Sequence, residues 1–334
     1  MKHNHHNINI LFTSAGRRVE LVELFRQALK DLNLPGNIVV ADCRSNIPTA
    51  FYADHYEEVP KIDRPDYIHH LLKVCEKHDI KLLVPLIDPE LNLLALHREK
   101  FVRLGVTVLI CSSQTNHICF DKRNTAKFFR QIGVKSPAIL DPDKILSDCQ
   151  AQYPFLVKPA NGSSSVGVTV VNNPKELAFF KDYIPNAIVQ ELLRGEEYTL
   201  DVLVDFEGRV RCVVPRLRLA TRAGEISKGI TVKNSQIIAA GAKVVNSLPG
   251  TVGCITVQCF LLPNGEIAFI EINPRFGGGV PLSIEAGANY PKWILQMLLN
   301  EKDISFDDWQ DGIVMLRHDE SIFYQHKNAS QLIK

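Results

Sequence analysis

Short apolar runs alternate with helical patterns through the first hundred or so residues. Ile8 to Phe12 and Ile38 to Ala41 read as strands, and Arg17 to Leu32 between them carries apolar residues at amphipathic-helix spacing. Asp66 to Lys77 repeats that spacing, Lys81 to Leu86 is a third strand, and Val106 to Ile110 a fourth. Asp88-Pro89-Glu90 opens the helix between the last two, with Asp88 as cap and proline at the first helical position. Strands separated one by one by helices predict a mostly parallel sheet with crossover helices, so residues 1–112 are expected to form a small, doubly wound α/β domain.

From about residue 115 the rhythm changes. Asn116 to Ile132 is helical, and strands then arrive in runs: Phe155 to Lys158, Val168 to Val171, Ala187 to Leu192, Tyr198 to Asp205, Val210 to Leu217, Ile255 to Leu262 and Ile267 to Ile272. Helices at about 174–182, 234–247 and 283–299 interrupt them. This is α+β patterning built on antiparallel pairs, one of them closed by Pro263-Asn264-Gly265.

With 46% hydrophobic and 22% charged residues over 334 positions, the composition is that of an ordinary globular protein rather than a disordered, collagen-like or coiled-coil chain. Lys plus Arg total 38 against 37 for Asp plus Glu, and a net charge of +1 offers no footprint for nucleic acid or an anionic membrane. The 8 cysteines form no CxxC pair, so neither a zinc site nor a disulfide framework is expected. No apolar run is long enough to cross a bilayer and no signal-peptide pattern opens the chain, which places the protein in the cytoplasm with reduced thiols. His3, His5 and His6 read as part of a frayed tail rather than a metal site.

The loop Thr13-Ser14-Ala15-Gly16-Arg17-Arg18 follows the first strand, where doubly wound folds bind ligands. It lacks GxGxxG, so a substrate or effector contact and a plain turn both stay open, and Asp42 after the second strand reads as a loop residue. The denser signal begins at Phe155, where an apolar strand ends in Lys158 and Pro159-Ala160-Asn161-Gly162-Ser163-Ser164-Ser165-Val166-Gly167 leads to a second strand. Small residues let backbone N–H groups approach phosphate oxygens, and the lysine adds a positive charge. Val168 stands where a P-loop needs lysine, and a strand follows rather than a helix, so the segment is either a hairpin flap over phosphates or a plain Gly/Ser hairpin.

A second signal is Gln258 with Glu271-Ile272-Asn273-Pro274-Arg275. Strand residues two apart share a face, so Glu271 and Asn273 present oxygen ligands side by side, and Gln258 on the preceding strand can stand opposite them. A carboxylate with two amides suits Mg²⁺, although an isolated Glu-x-Asn also fits a solvated strand face. Arg275, at the next alternate position, offers a fixed positive fork to a reacting phosphoryl group.

Together, a strand-Lys-Gly/Ser loop followed about a hundred residues later by Gln…Glu-x-Asn-Pro-Arg resembles the ATP-grasp superfamily. The closest resemblance is to one synthetase module of the carbamoyl phosphate synthetase large subunit and to related stand-alone carboxylate-amine ligases. It implies an N-terminal pre-ATP-grasp domain over 1–112 and an ATP-grasp domain over 113–334. Within the latter, about 113–190 would be a first nucleotide-binding subdomain and 191–334 a second that holds the metal site. By the same resemblance, Lys122 and Lys158 bind nucleotide phosphates beneath the flap of Gly162, Ser163, Ser164, Ser165 and Gly167. The backbone of Gln190, Glu191, Leu192 and Leu193 reads adenine, and Glu197 lies near the ribose. Gln258, Glu271 and Asn273 hold Mg²⁺, with Mn²⁺ a substitute, and Arg275 serves the reacting phosphate.

The implied activity is ADP-forming: ATP phosphorylates a small carboxylate, and an amine attacks the acyl phosphate. A homodimer is compatible with that reading; nucleic acid and membrane partners are not expected. Two departures bear on the substrate. There is one module rather than two, and Thr221 to Gly229 lacks the histidine of the bicarbonate-activating module, so phosphorylation of bicarbonate or carbamate ranks second. A non-catalytic nucleotide-binding protein ranks third, since it needs neither Arg275 nor a full metal set. Arg216, Arg218, Arg222 and Lys228 cluster around that variable stretch. Any of the four is a candidate to hold the acceptor's carboxylate, Arg216, Arg222 and Lys228 foremost, by the bidentate recognition that arginine allows, and alternate arginines on a strand also fit a solvent-facing edge.

Overall fold

Five consecutive buried residues make β1 (Asn9–Thr13), and four of the five in β2 (Ile38–Asp42) are buried as well. Such runs suit a parallel sheet covered on both faces. Around them the first unit builds α1 (Val19–Asp31), β3 (His55–Glu58), α2 (Tyr67–Lys77), β4 (Ile80–Pro85), α3 (Asp88–Leu96), α4 (Arg98–Val102) and β5 (Thr107–Val108). The sheet order is β3-β2-β1-β4-β5 and all four pairings are parallel, so the chain reverses direction of growth between β1 and β4. The computed structural model describes residues 7–162, 166–301, 304–306 and 308–325. Packing divides the chain into one unit of 1–110, 291–304 and 316–334 and another of 111–290 and 305–315.

The first unit has five strands where the apolar pattern predicts four. His-Tyr-Glu-Glu of β3 is an exposed or half-exposed edge without alternation, which gives hydrophobic periodicity nothing to detect. Asp88 is also not the cap of α3. That role falls to Ile87, and the buried Glu90 carboxylate accepts from the N–H groups of Leu86 (3.0 Å) and Ile87 (3.4 Å). Tyr67 Oη donates to the same carboxylate at 2.7 Å and Ser14 Oγ at 3.2 Å, so the loop after β1 is tied to the start of α3.

The second unit begins with α5 (Ser113–Phe120) and α6 (Lys122–Gln131), two helices where one was expected. Asp121 sits between them in an extended conformation, and its carboxylate caps α6 by accepting from Arg123 N at 2.8 Å. Then come β6 (Ile139–Leu140), α7 (Pro142–Ser147), β7 (Phe155–Pro159), β8 (Thr169–Val171), α8 (Pro174–Tyr183) and β9 (Ala187–Glu191). These strands form a four-stranded antiparallel sheet in the order β6-β9-β7-β8.

Next are β10 (Glu196–Val204), β11 (Val210–Arg222), β12 (Glu225–Thr231), α9 (Ser235–Asn246), β13 (Gly253–Leu261), β14 (Ile267–Asn273), α10 (Val280–Glu285) and β15 (Val314–Leu316), while α11 (Tyr290–Leu298) belongs, beyond its first residue, to the first unit. Their six-stranded sheet has the order β14-β13-β10-β11-β12-β15. One face is apolar: Leu200, Val202, Val213, Ile255, Val257 and Phe269 pack with Ile237 and Val244 of α9 and Phe129 of α6. Burial of each such side chain stabilises by about 1.5–3 kcal/mol. The other face is left for polar chemistry. The helix expected at 283–299 is broken at Gly287, whose φ of +108° no L side chain adopts without strain, and Pro291 near the start of α11 favours the interruption.

Candidate active site

The polar face of the six-stranded sheet follows from two-residue alternation on four adjacent strands. Glu197, Thr199 and Asp201 come from β10, Arg216 and Arg218 from β11, Thr256 and Gln258 from β13, and Glu271 and Asn273 from β14. The register places Gln258 directly opposite Glu271 on one side and Thr199 on the other, and Thr256 opposite Asn273 and Asp201. The three expected oxygen ligands therefore lie together on two paired strands, with Asn273 buried and Glu271 and Gln258 half-buried.

Glu197 carries a raised pKa, first because burial disfavours its charge and further because Glu271 is close, while Arg218 opposes the rise. Arg218 Nε lies 3.2 Å from Glu197 Oε1, and its terminal nitrogens donate to Thr199 Oγ1 (3.4 Å) and Gly224 O (3.0 Å). Glu197, near Glu271, is thus fixed to the tip of the β11–β12 hairpin.

The four-stranded sheet supplies the positive charge. Lys158 near the end of β7 is only 7% exposed, and burial pulls its pKa down to about 8, with Lys122 adding to the fall and Glu271 resisting it. Those two influences place Lys158 within the electrostatic reach of both the other lysine and the Glu271 carboxylate expected to hold the metal. Lys122, the first residue of α6, donates from Nζ to Gly162 O at 2.9 Å and from its backbone to Ala160 O at 2.9 Å, so it is fastened to the root of the Gly/Ser segment. Ser163, Ser164 and Ser165, like His3, His5 and His6, lie outside the described residues. Gly162 and Gly167 flank the three serines, both at positive φ.

Gln190 and Glu191 end β9, and Leu192 and Leu193 follow, half-buried, in the connection to β10. Glu191 N–H donates to Ala138 O at 3.1 Å, while the buried Gln190 Oε1 has no hydrogen-bond partner among the described residues.

Arg275 is not a continuation of the strand. β14 ends at Asn273, and Arg275 N–H turns back to Asn273 O at 2.8 Å, which places the residue on a bend. Its carbonyl accepts from Thr256 Oγ1 at 3.0 Å, and its Nη1 donates to Phe276 O at 3.1 Å.

Arg216 differs most from expectation. Instead of facing a substrate, it is 1% exposed and forked onto Asp201, with Nε to Oδ2 at 2.7 Å and Nη2 to Oδ1 at 3.0 Å. Two of its three nitrogens are therefore committed inside the protein. Arg222 and Lys228 are exposed on the β11–β12 hairpin, because 225–231 forms a strand rather than part of a variable loop. Asp201, Thr199 and Thr256 join the site without an expectation from the sequence, and Arg218, one of the four basic residues expected near the acceptor's carboxylate, is engaged by Glu197 and Gly224 O. The alternation Glu197-x-Thr199-x-Asp201, in an otherwise apolar strand, was the available signal.

Among the described residues no group of three or more His, Cys, Asp or Glu side chains could hold a metal, so a transition-metal centre has no ligand set there. One carboxylate with two amide oxygens on a polar sheet face suits a hard cation that keeps part of its shell for phosphate or water. None of the eight cysteines forms a disulfide. No helix among the described residues is long and apolar enough to cross a membrane.

Residues 119–279 match the family model described as an ATP-grasp domain, and residues 10–109 that of a PylC-like N-terminal domain. A 3-methyl-D-ornithine–L-lysine ligase from Methanosarcina acetivorans is 24% identical over 294 residues, covering 86% of this chain and 72% of its own. A D-alanine–D-alanine ligase A from Bacillus cereus is 26% identical over 166 residues, 44% of this chain; the chain spans about half the length of such D-alanine ligase relatives, 54% in this case. In three dimensions the biotin carboxylase of Campylobacter jejuni superposes with a TM-score of 0.70 at 16% identity, over 92% of this chain and 74% of its own.

Proposed function

We propose that this chain, an ATP-grasp protein with a PylC-like N-terminal domain, is an ADP-forming ligase that activates a small carboxylate as its acyl phosphate and joins it to an amine. The observation that carries the reading is the register that sets Gln258 against Glu271 beside Asn273, with the depressed Lys158 under the influence of Glu271. A set of oxygen ligands together with a buried lysine suits the polyphosphate of a nucleotide. The two ligase relatives, whose names state a bond between two amino acids, support carboxylate and amine substrates of that class.

On this reading Lys158 and Lys122 bind phosphate oxygens, and the Glu191 to Leu193 segment lies along the adenine. Gln258, Glu271 and Asn273 would hold Mg²⁺, which supplies neutralisation of the phosphate charge. Arg275 stabilises the charge that grows as the γ-phosphoryl group moves from ATP to the substrate carboxylate oxygen, with ADP leaving. The amine then attacks the acyl carbon, phosphate departs, and the amine loses a proton. Water must be kept from the acyl phosphate, which it would otherwise hydrolyse. The site's soluble substrates fit a cytoplasmic enzyme.

Hydroxylamine tests the reaction class. With MgATP, pooled amino acids and hydroxylamine in place of the natural amine, the protein is expected to yield a hydroxamate together with ADP and phosphate. Formation of AMP and pyrophosphate would instead establish adenylate chemistry. Carbamoyl phosphate from bicarbonate and ammonia would establish the second-ranked activity.

A pH series tests the lysine. The free Lys158 is cationic below about pH 8 and neutral above it, and only the cation attracts phosphate. Magnesium-free ADP, measured by calorimetry in the presence of a chelator, is therefore expected to bind about tenfold more weakly per pH unit above 8 until the pKa of the bound lysine is reached. Lys158→Arg is expected to flatten that dependence. Affinity that stays level from pH 7 to 9.5 in the unmodified protein would remove Lys158 from the phosphate site.

A further inference from the structure

Beneath the bend that carries Arg275 lies a buried polar assembly that no step of the reaction uses directly. Asp201, wholly buried on β10, receives the fork of Arg216 and also the hydroxyl of Ser283 in α10, Oγ to Oδ2 at 2.6 Å. Its backbone carbonyl accepts from Tyr290 Oη at 2.9 Å. One residue thus ties together β10, β11, α10 and the start of α11.

The segment Phe276-Gly277-Gly278-Gly279 is laid directly on this assembly. A Cβ on Gly277 would stand 2.8 Å from Thr256 Oγ1 and 3.6 Å from Asp201 Oδ1, and one on Gly279 would stand 2.4 Å from Arg216 Nη1. Glycine is required at both positions because the loop rests on side chains with no room for a methyl group. Thr256 holds the Arg275 carbonyl at one end of the segment, and Ser283 in α10 fastens the other end to Asp201. The loop is therefore pinned at both ends and supported beneath its second and fourth residues.

We propose that Asp201, acting through Arg216 and Ser283, is a positioning residue that sets the bend on which Arg275 meets the reacting phosphoryl group. The inference rests on the role assigned to Arg275 above. A buried ion pair is weak ground for stability, because desolvation of both charges offsets most of their attraction. Its value here is geometric: a rigid guanidinium fork fixes two strands relative to each other, and its Nη1 lies against Gly279. Electrostatic stabilisation of a moving charge depends on donors held in place before the reaction, so a misplaced bend would weaken the arginine without removing it.

The test is a double-mutant cycle on the single-turnover rate of phosphate release from MgATP to water, a probe that needs no knowledge of the carboxylate. Arg275→Ala is expected to lower that rate about a hundredfold. Asp201→Asn is expected to lower it about tenfold while the Kd for MgADP stays within about twofold, since Asp201 is wholly buried and is assigned no contact with the nucleotide. In the Arg275→Ala background, Asp201→Asn should cost less than about twofold, because the group it positions is gone. Ser283→Ala, which leaves the Arg216 pair intact, keeps the test valid if Asp201→Asn does not fold. It is expected to lower the rate about threefold and to lose that effect in the same background. Additive losses, or a parallel loss of MgADP affinity, would overturn the positioning role. An unchanged rate in Arg275→Ala would overturn it by a different route, through the role of Arg275 itself. The hydroxamate result bears on the ligase reading separately from both.

Discussion

Replacing Glu271 with glutamine is expected to lower turnover by at least about a hundredfold while leaving the protein folded. Groups that merely hydrogen-bond to metal ligands are worth 10–100-fold in affinity or activity, and Glu271 is the sole carboxylate of the proposed set. An amide is a weaker oxygen donor and brings no charge against the cation, so magnesium is expected to be needed at higher concentration as well. Stability should move little, and the reason lies in the field around the residue. Without metal, Glu271 repels Glu197, whose pKa it helps to raise, and attracts Lys158, whose pKa it helps to hold up. Glutamine removes one favourable and one unfavourable interaction, so thermal unfolding at pH 7 is expected to stay within about 0.5 kcal/mol of the parent, the usual range for such half-exposed positions. Full turnover at ordinary magnesium would take Glu271 out of the metal site.

The chemistry of this site was readable in the sequence where it depended on local order. Lys158 at a strand end, the flanking glycines, and Glu-x-Asn on a strand are short-range statements, and the hairpin turn Pro263-Asn264-Gly265 sets the pairing that brings Gln258 opposite Glu271. What the sequence could not reveal is which polar residues of neighbouring strands face each other where no motif marks the register. Arg216 looks like any alternate arginine on a strand. Only the pairing of β10 with β11 places Asp201 within reach of its fork. The same limit explains β3, an exposed edge recognisable by its neighbour β2 rather than by its own residues. The 225–231 strand was hidden because Ser227, Lys228 and Gly229 break its apolar alternation. Gly229 is nonetheless a close-packing position, where a Cβ would lie 2.4 Å from Ile226 Cδ1.

Lys158→Met is expected to act in opposite directions on stability and on activity. Burial lowers the lysine from 10.5 to about 8, which corresponds to about 3 kcal/mol of unfavourable charge burial in the empty protein. The sign follows from linkage. In the unfolded chain the group titrates near 10.5, so between pH 8 and 10.5 the unfolded state binds more protons than the folded one and stability rises with pH. The penalty is therefore complete below pH 8 and is relieved on the way to 10.5. Methionine nearly matches the length of the side chain and carries no charge, so urea unfolding at pH 7 should show the variant more stable by up to about 3 kcal/mol. The gap should narrow as pH rises through the window, and phosphate contact should be lost at every pH. On the proposed reading, the phosphates of a bound nucleotide return the favourable partner, which makes the strain part of the binding site rather than of the fold. A methionine variant no more stable than the parent at pH 7 would mean that Lys158 finds its charge compensated within the empty protein. One that is stabilised yet still turns over at the parental rate would show that the lysine has no part in the reaction.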